Sequence, residues 1–164
     1  MNTMHKFLAA LALLLAQHAY ALDPMAGGEI ANANWLERVF PSMDNCTPSD
    51  FYFDKEAKRS NSGFLEKNGY RAYKIDEYTA KYKIREKFFD LDATEIAIPS
   101  GTDSLYTVTV QVGVKSLAEI IKNKTGYRSP VYSKEFKAQS AMAYLVPEGT
   151  NKSTFVCFTF DGGF

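Results

Sequence analysis

The side chains of this sequence that could do acid-base chemistry are nearly all carboxylates. The sequence contains two histidines, His5 and His18, and both lie in an N-terminal segment that we expect to be removed. Ser-His-Asp and Cys-His catalysis, a His general base and a His-ligated zinc are then excluded from the remaining chain. No cofactor fingerprint is present either. We therefore predict no catalytic residue, no metal site and no cofactor.

The carboxylates that stand closest together in the sequence are Asp76 and Glu77, Asp90 and Asp92, and Asp44 and Asp50. Two carboxyl groups about 5–10 Å apart across one cleft could hydrolyse a glycoside. The spacing in the sequence does not establish such a cleft. Asp90 and Asp92 are read as a solvated hairpin turn rather than a calcium loop, because the twelve-residue ligand pattern is missing. A hydrolase that uses carboxylates alone remains an alternative function.

Basic side chains recur at every second residue of one segment, as Lys81, Lys83, Arg85 and Lys87. In a strand, such residues share one face and are spaced about 6.6 Å apart. One interpretation is a surface that meets an acidic groove or loop of a partner protein. The other is a solvated outer face whose lysines prevent edge-to-edge aggregation. Both interpretations stay open.

Residues 1–21 have the three parts of a secretory signal: Lys6, an apolar run from Phe7 to Ala16, and Ala19-Tyr20-Ala21 as a cleavage site. About ten apolar residues are too few to span a bilayer, so we expect no membrane insertion after cleavage. Residues 22–164 are predicted to be a single globular domain, periplasmic or secreted.

The sequence has two cysteines, Cys46 and Cys157. In an oxidising compartment a lone pair of this kind usually forms a disulfide, and we predict that bond. It would join the N-terminal region to the last strand.

Hydrophobic periodicity predicts an α+β fold with an antiparallel sheet of about five strands. A helix over 116–125 is expected to pack on one face, with Ser116 and Glu119 as a capping box and Gly126 at its end. One or two N-terminal helices are expected: a first over 29–40, and a second that starts at Thr47, although the aromatic run 51–53 also fits a strand. A β-barrel around a ligand is the alternative fold.

The sequence carries 19 Lys and Arg against 19 Asp and Glu, so nothing indicates a general attraction to nucleic acid. Together, these features predict an exported module that binds another protein, as an inhibitor or immunity-type protein that neutralises a toxin or hydrolase. A carrier of a small apolar ligand is a further alternative.

Overall fold

The structure is a computed structural model that describes residues 35–39, 51–101, 104–133 and 141–159. The expected signal segment lies outside these residues, as do Asp44, Cys46, Thr47 and Asp50. The helices of the described part are α1 (Trp35–Val39), α2 (Phe64–Lys67) and α3 (Val114–Thr125). Its strands are β1 (Phe53–Asp54), β2 (Arg59–Ser60), β3 (Ala72–Ile75), β4 (Thr79–Phe88), β5 (Leu91–Pro99), β6 (Ser104–Val110), β7 (Ala141–Pro147) and β8 (Ser153–Thr159).

Six of the strands form one antiparallel sheet in the order β3-β4-β5-β6-β8-β7, and β1 and β2 form a separate hairpin. The chain runs through β3 to β6 as a meander. It then leaves through α3, returns as the edge strand β7, and places β8 between β6 and β7. The fold is therefore α+β, and the sheet has two edges, β3 and β7.

The sheet has six strands where the sequence predicted about five, because residues 72–88 form two strands, β3 and β4, joined by a turn. Asp76 makes the division: its carboxylate accepts the backbone N–H groups of Tyr78 and Thr79, at 3.1 and 2.8 Å. A short polar side chain that bonds its own backbone in this way stabilises a turn. The chain therefore reverses after Ile75, and β3 becomes an additional strand at the edge.

The prediction of a second N-terminal helix is wrong over residues 51–60, because the chain forms the β1–β2 hairpin there. Phe51 and Phe53 are buried and Tyr52 is exposed between them, which is the alternation of a strand. The Asp54 carboxylate closes the turn by accepting the N–H of Glu56 at 2.8 Å. The aromatic run thus follows its strand interpretation rather than its helix interpretation.

Helix α3 begins two residues before the predicted start. Its N-cap is Gly113, and no side chain caps it, so Ser116 lies inside the first turn and not at the cap. A Cβ on Gly113 would stand 2.7 Å from the carbonyl oxygen of Thr150, so the close approach of two backbones requires a glycine here. Tertiary contact has overridden the capping-box pattern.

One hydrophobic core lies on a single face of the sheet. Helix α3 contacts β7 and β8, and it buries Leu117 and Ile121 in that core. The core also contains Trp35 of α1, whose ring meets Phe64 edge-on with ring centroids 5.1 Å apart. Among the described residues, no helix is long and apolar enough to cross a membrane.

Candidate binding surface

The four basic residues predicted from the sequence lie on β4, on the side that faces away from the core. Along this strand Tyr82 and the other core residues alternate with the cations: Lys83, Arg85 and Lys87 are exposed, and Lys81 is half-buried. We call this side of β4 the cationic face. A bulge between Lys83 and Glu86 interrupts the pairing with β5, and it bends the strand next to Arg85.

Two of the four cations are paired with carboxylates of the neighbouring strand β5. Lys83 lies 2.5 Å from Glu95, and Lys87 lies 2.6 Å from Asp92. Such exposed ion pairs add little stability. In the described part of the chain, Lys81 and Arg85 form no salt bridge. The cationic face therefore keeps an excess of positive charge.

Glu95 contacts both Lys83 and Tyr73 on this surface. Besides Lys83, its carboxylate accepts the hydroxyl of Tyr73 at 2.7 Å, and the ammonium of Lys83 lies 4.9 Å from the centre of the Tyr73 ring. Burial by itself raises the pKa of Glu95, but the hydrogen bonds from Lys83 and Tyr73 outweigh it and lower that pKa. The Glu95 hydrogen bond in turn raises the pKa of Lys83. Both groups stay charged at neutral pH.

Edge strand β3 adds a fifth cation that the sequence reading missed. Lys74 is the register partner of Lys81, and a bulge precedes it. The outer edge of β7 is partly covered, since Tyr132 donates its N–H to the carbonyl of Leu145 at 2.7 Å. No described segment pairs with the outer edge of β3. That edge therefore offers both free backbone groups and positive charge to a partner.

A pocket of about 460 Å³ opens at the bulge between β4 and β5. It is lined by Ile84, Arg85, Glu86, Lys87, Asp92, Ala93 and Thr94. Glu86 is held there by the hydroxyl of Tyr70. Burial, together with this hydrogen bond, raises the pKa of Tyr70 to about 12, so the phenol remains a proton donor at neutral pH. Four of these seven lining residues carry a charge: Arg85, Glu86, Lys87 and Asp92.

The carboxylates that the sequence singled out have structural contacts. The Asp76 carboxylate stabilises the β3–β4 turn by accepting the backbone N–H of Thr79. The Asp90 carboxylate accepts a hydrogen bond from the ammonium group of Lys124 at 2.9 Å. Hydrogen bonds to the Thr79 backbone lower the pKa of Asp76, and those from Lys124 lower the pKa of Asp90. A general acid for glycoside hydrolysis needs a raised pKa instead. Within the described ranges, no group of three or more His, Cys, Asp or Glu residues could hold a metal ion.

A buried polar cluster on the core side was also missed by sequence reasoning. Glu66 accepts the hydroxyl of Ser60 at 2.6 Å and that of Tyr82 at 2.9 Å. Ser60 and Tyr82 are completely buried. Burial and the hydrogen bond to Glu66 raise the pKa of Tyr82. The cluster joins α2, β2 and β4, so its role is to hold the β1–β2 hairpin on the sheet.

Cys157 lies on β8 in the core and is disulfide-bonded. Its expected partner, Cys46, lies outside the described residues, so the pairing stays a prediction.

Comparisons with protein families, with curated proteins and with solved structures return no match.

Proposed function

We propose that the protein is an exported protein-binding module, and that it acts as an inhibitor or immunity-type protein that neutralises a toxin or hydrolase. In this proposal residues 1–21 are removed, and residues 22–164 form one domain in the periplasm or outside the cell. The partner is a protein with an acidic surface. It binds the cationic face of β4 together with edge strand β3.

One observation carries the proposal: five basic side chains lie together with a sheet edge that no described strand pairs with, and two of the five cations have carboxylate partners on β5. Positive potential of this kind speeds the encounter with an acidic partner and orients it. The remaining cations, Lys74, Lys81 and Arg85, form no salt bridge in the described part of the chain.

Exposed aromatic and aliphatic side chains surround the same edge. Tyr73 and Tyr78 are each 51% exposed and Ile75 is 49% exposed. Tyrosine and arginine are enriched in protein interfaces, where the aromatic ring buries apolar area and the polar end keeps a hydrogen bond. The edge therefore combines the residue types that give an interface both charge and apolar contact.

One observation weighs against the hydrolase alternative. Every resolved pKa shift of a described carboxylate is downward, which favours ionised groups over the protonated acid of a glycan hydrolase; these are Glu66, Asp76, Asp90, Glu95 and Glu148.

The proposal is tested by affinity capture with the mature chain immobilised and a periplasmic extract applied at low salt. A matched column carries a variant in which Lys74, Lys81 and Arg85 are changed to Gln, which removes the three cations without an ion pair. We expect the wild-type column to retain an acidic protein that the variant column loses. If nothing is retained, or if both columns retain the same proteins equally, the proposed function fails.

A further inference from the structure

We infer that Tyr73 is the anchor residue of this binding surface, that Glu95 positions it, and that the partner's contacting segment carries an apolar side chain between acidic residues. The apolar side chain packs on the Tyr73 ring, and the acidic residues meet Lys74 and Lys81. This inference rests on the proposed function and specifies its centre.

Tyr73 is exposed and yet held in place. Half of its surface is open to solvent, while its hydroxyl is bound by Glu95 and one side of its ring lies beside the Lys83 ammonium. Ordering an exposed side chain costs conformational entropy, and the core does not repay that cost. Such preorganisation favours binding, because the side chain loses no further freedom when a partner covers it.

Glu95 positions the Tyr73 side chain through its hydrogen bond to the Tyr73 hydroxyl. Its side chain is 17% exposed, whereas that of Lys83 is 65% exposed. It lies on β5 opposite Lys83 and reaches Tyr73 across the intervening strand β4. Through one carboxylate, three strands determine where the phenol ring stands.

The neighbouring pair Lys74 and Lys81 indicates the charge of the partner. The two residues are directly opposite each other on β3 and β4, and like charges in that position destabilise a sheet. Neither forms a salt bridge in the described part of the chain. A carboxylate that reached both ammonium groups would relieve the repulsion, and an acidic segment supplies such carboxylates.

Tyr78 provides a matched control for Tyr73. It is equally exposed, at 51%, and it lies in the β3–β4 turn, close to the same edge. Among the described contacts, its hydroxyl has no hydrogen-bond partner. A surface that recognised exposed tyrosines in general would use both residues, whereas the anchor inferred here is Tyr73 alone.

The test measures the dissociation constant of the captured acidic protein for five variants of the mature chain, four single and one double. We expect Tyr73→Ala to weaken binding about 30-fold and Tyr78→Ala to leave it unchanged. Tyr73→Phe and Glu95→Ala should each weaken binding about fivefold, the size expected for one lost hydrogen bond. The Tyr73→Phe/Glu95→Ala double variant should be no weaker than either single variant, because both changes remove the hydrogen bond between the Tyr73 hydroxyl and the Glu95 carboxylate.

The melting temperature of each free variant shows whether it is folded. If Tyr73→Ala binds as tightly as wild type, or if Tyr78→Ala loses as much affinity as Tyr73→Ala, then Tyr73 is not the anchor residue. The proposed function would still stand in that case, because the protein binds a partner. If the effects of Tyr73→Phe and Glu95→Ala add in the double variant, Glu95 does not act through Tyr73. If the extract contains no protein to measure, the proposed function fails and the anchor with it.

Discussion

The carboxylate of Glu37 accepts the backbone N–H of Phe89 at 2.8 Å, and thereby ties helix α1 to the tip of the β4–β5 hairpin, 52 residues further along the chain. Phe89 and Asp90 both have positive φ, at 50° and 65°. A positive φ is unusual for a bulky residue such as phenylalanine. Phe89 keeps this conformation because its ring is buried against Phe88, with ring centroids 4.5 Å apart, and because Glu37 satisfies its N–H.

Removing Glu37 should therefore destabilise the protein more than removing a surface ion pair at the same hairpin. We expect Glu37→Ala to lower the free energy of unfolding by about 1.5–3 kcal/mol, the range for a hydrogen bond to a charged group. Lys124→Ala breaks the exposed pair with Asp90 and should have no measurable effect. Urea denaturation of both variants checks this. If both variants lost the same free energy of unfolding, the hydrogen bond from Phe89 to Glu37 would not be the contact that stabilises the tip of the β4–β5 hairpin.

Helix α3 should be sensitive at Gly113 and tolerant at Ser116. Gly113→Ala forces a Cβ against the Thr150 carbonyl and should cost about 1–3 kcal/mol. Ser116→Ala, an exposed change inside the helix, should stay within about 0.5 kcal/mol. Ile121→Ala should cost about 2–5 kcal/mol and Ile120→Ala less, since Ile121 is fully buried and Ile120 is partly exposed. Chemical denaturation ranks the free energies of unfolding of the four variants. A large loss of stability for Ser116→Ala would show that Ser116 caps the helix after all.

The Glu66 cluster predicts how stability depends on pH. Burial of Glu66 tends to raise its pKa, but hydrogen bonds from Ser60 and Tyr82 lower it below the ordinary value of 4.5. A group whose pKa is lowered by folding stabilises the native state above its unfolded pKa. That contribution is lost as the pH falls through the folded pKa. Stability should therefore begin to fall as the pH drops below about 4.5.

The variant Glu66→Gln tests this assignment. It should lower the free energy of unfolding at pH 7 by about 1–3 kcal/mol, and the variant should lose less on acidification than wild type does. Glu119→Gln, an exposed change on α3, is the control and should follow wild type. Thermal unfolding measured from pH 7 down to pH 3 compares the three proteins. If Glu66→Gln and wild type lost thermal stability equally as the pH falls, a group other than Glu66 would be responsible for the loss of stability at low pH.

The disulfide predicts a simple thiol count. Unreduced mature protein should show no free thiol after denaturation, and two after reduction. Cys46→Ser and Cys157→Ser should destabilise to a similar extent, because either change opens the same loop; for roughly a hundred residues the entropic model gives about 4–5 kcal/mol. A Cys46→Ser variant with unchanged stability would contradict the predicted pairing.

The cationic face could be predicted from the sequence because alternation along a half-buried strand has a period of exactly two residues. That period alone places Lys81, Lys83, Arg85 and Lys87 on one side. It does not depend on which strands pair or where they turn. The α+β class follows in the same way from the change between strand and helix periods.

The rest of the surface could not be predicted, because it depends on register. Lys74 meets Lys81 through the turn at Asp76, and Glu95 meets Lys83 through a two-residue turn at Phe89 and Asp90. The sequence indicated a hairpin turn at Asp90 and Asp92, but not that the turn has only two residues, and the register of β4 against β5 depends on that length. The start of α3 was missed for a related reason, since it is determined by a backbone contact 37 residues away, between Gly113 and Thr150.

The central claim is that positive charge on the cationic face and β3 brings an acidic partner to this protein, and the association rate tests it most directly. The rate with the captured partner should be measured in low and high salt for wild type, for Lys74→Gln/Lys81→Gln, and for Lys115→Gln/Lys122→Gln on the exposed side of α3. At low salt we expect the first pair to slow association about tenfold and the control pair to leave it unchanged. The difference should disappear at about 1 M salt, where charges are screened within about 3 Å. Equal rates for all three proteins at low salt would contradict the account and make the cationic face a solvated surface.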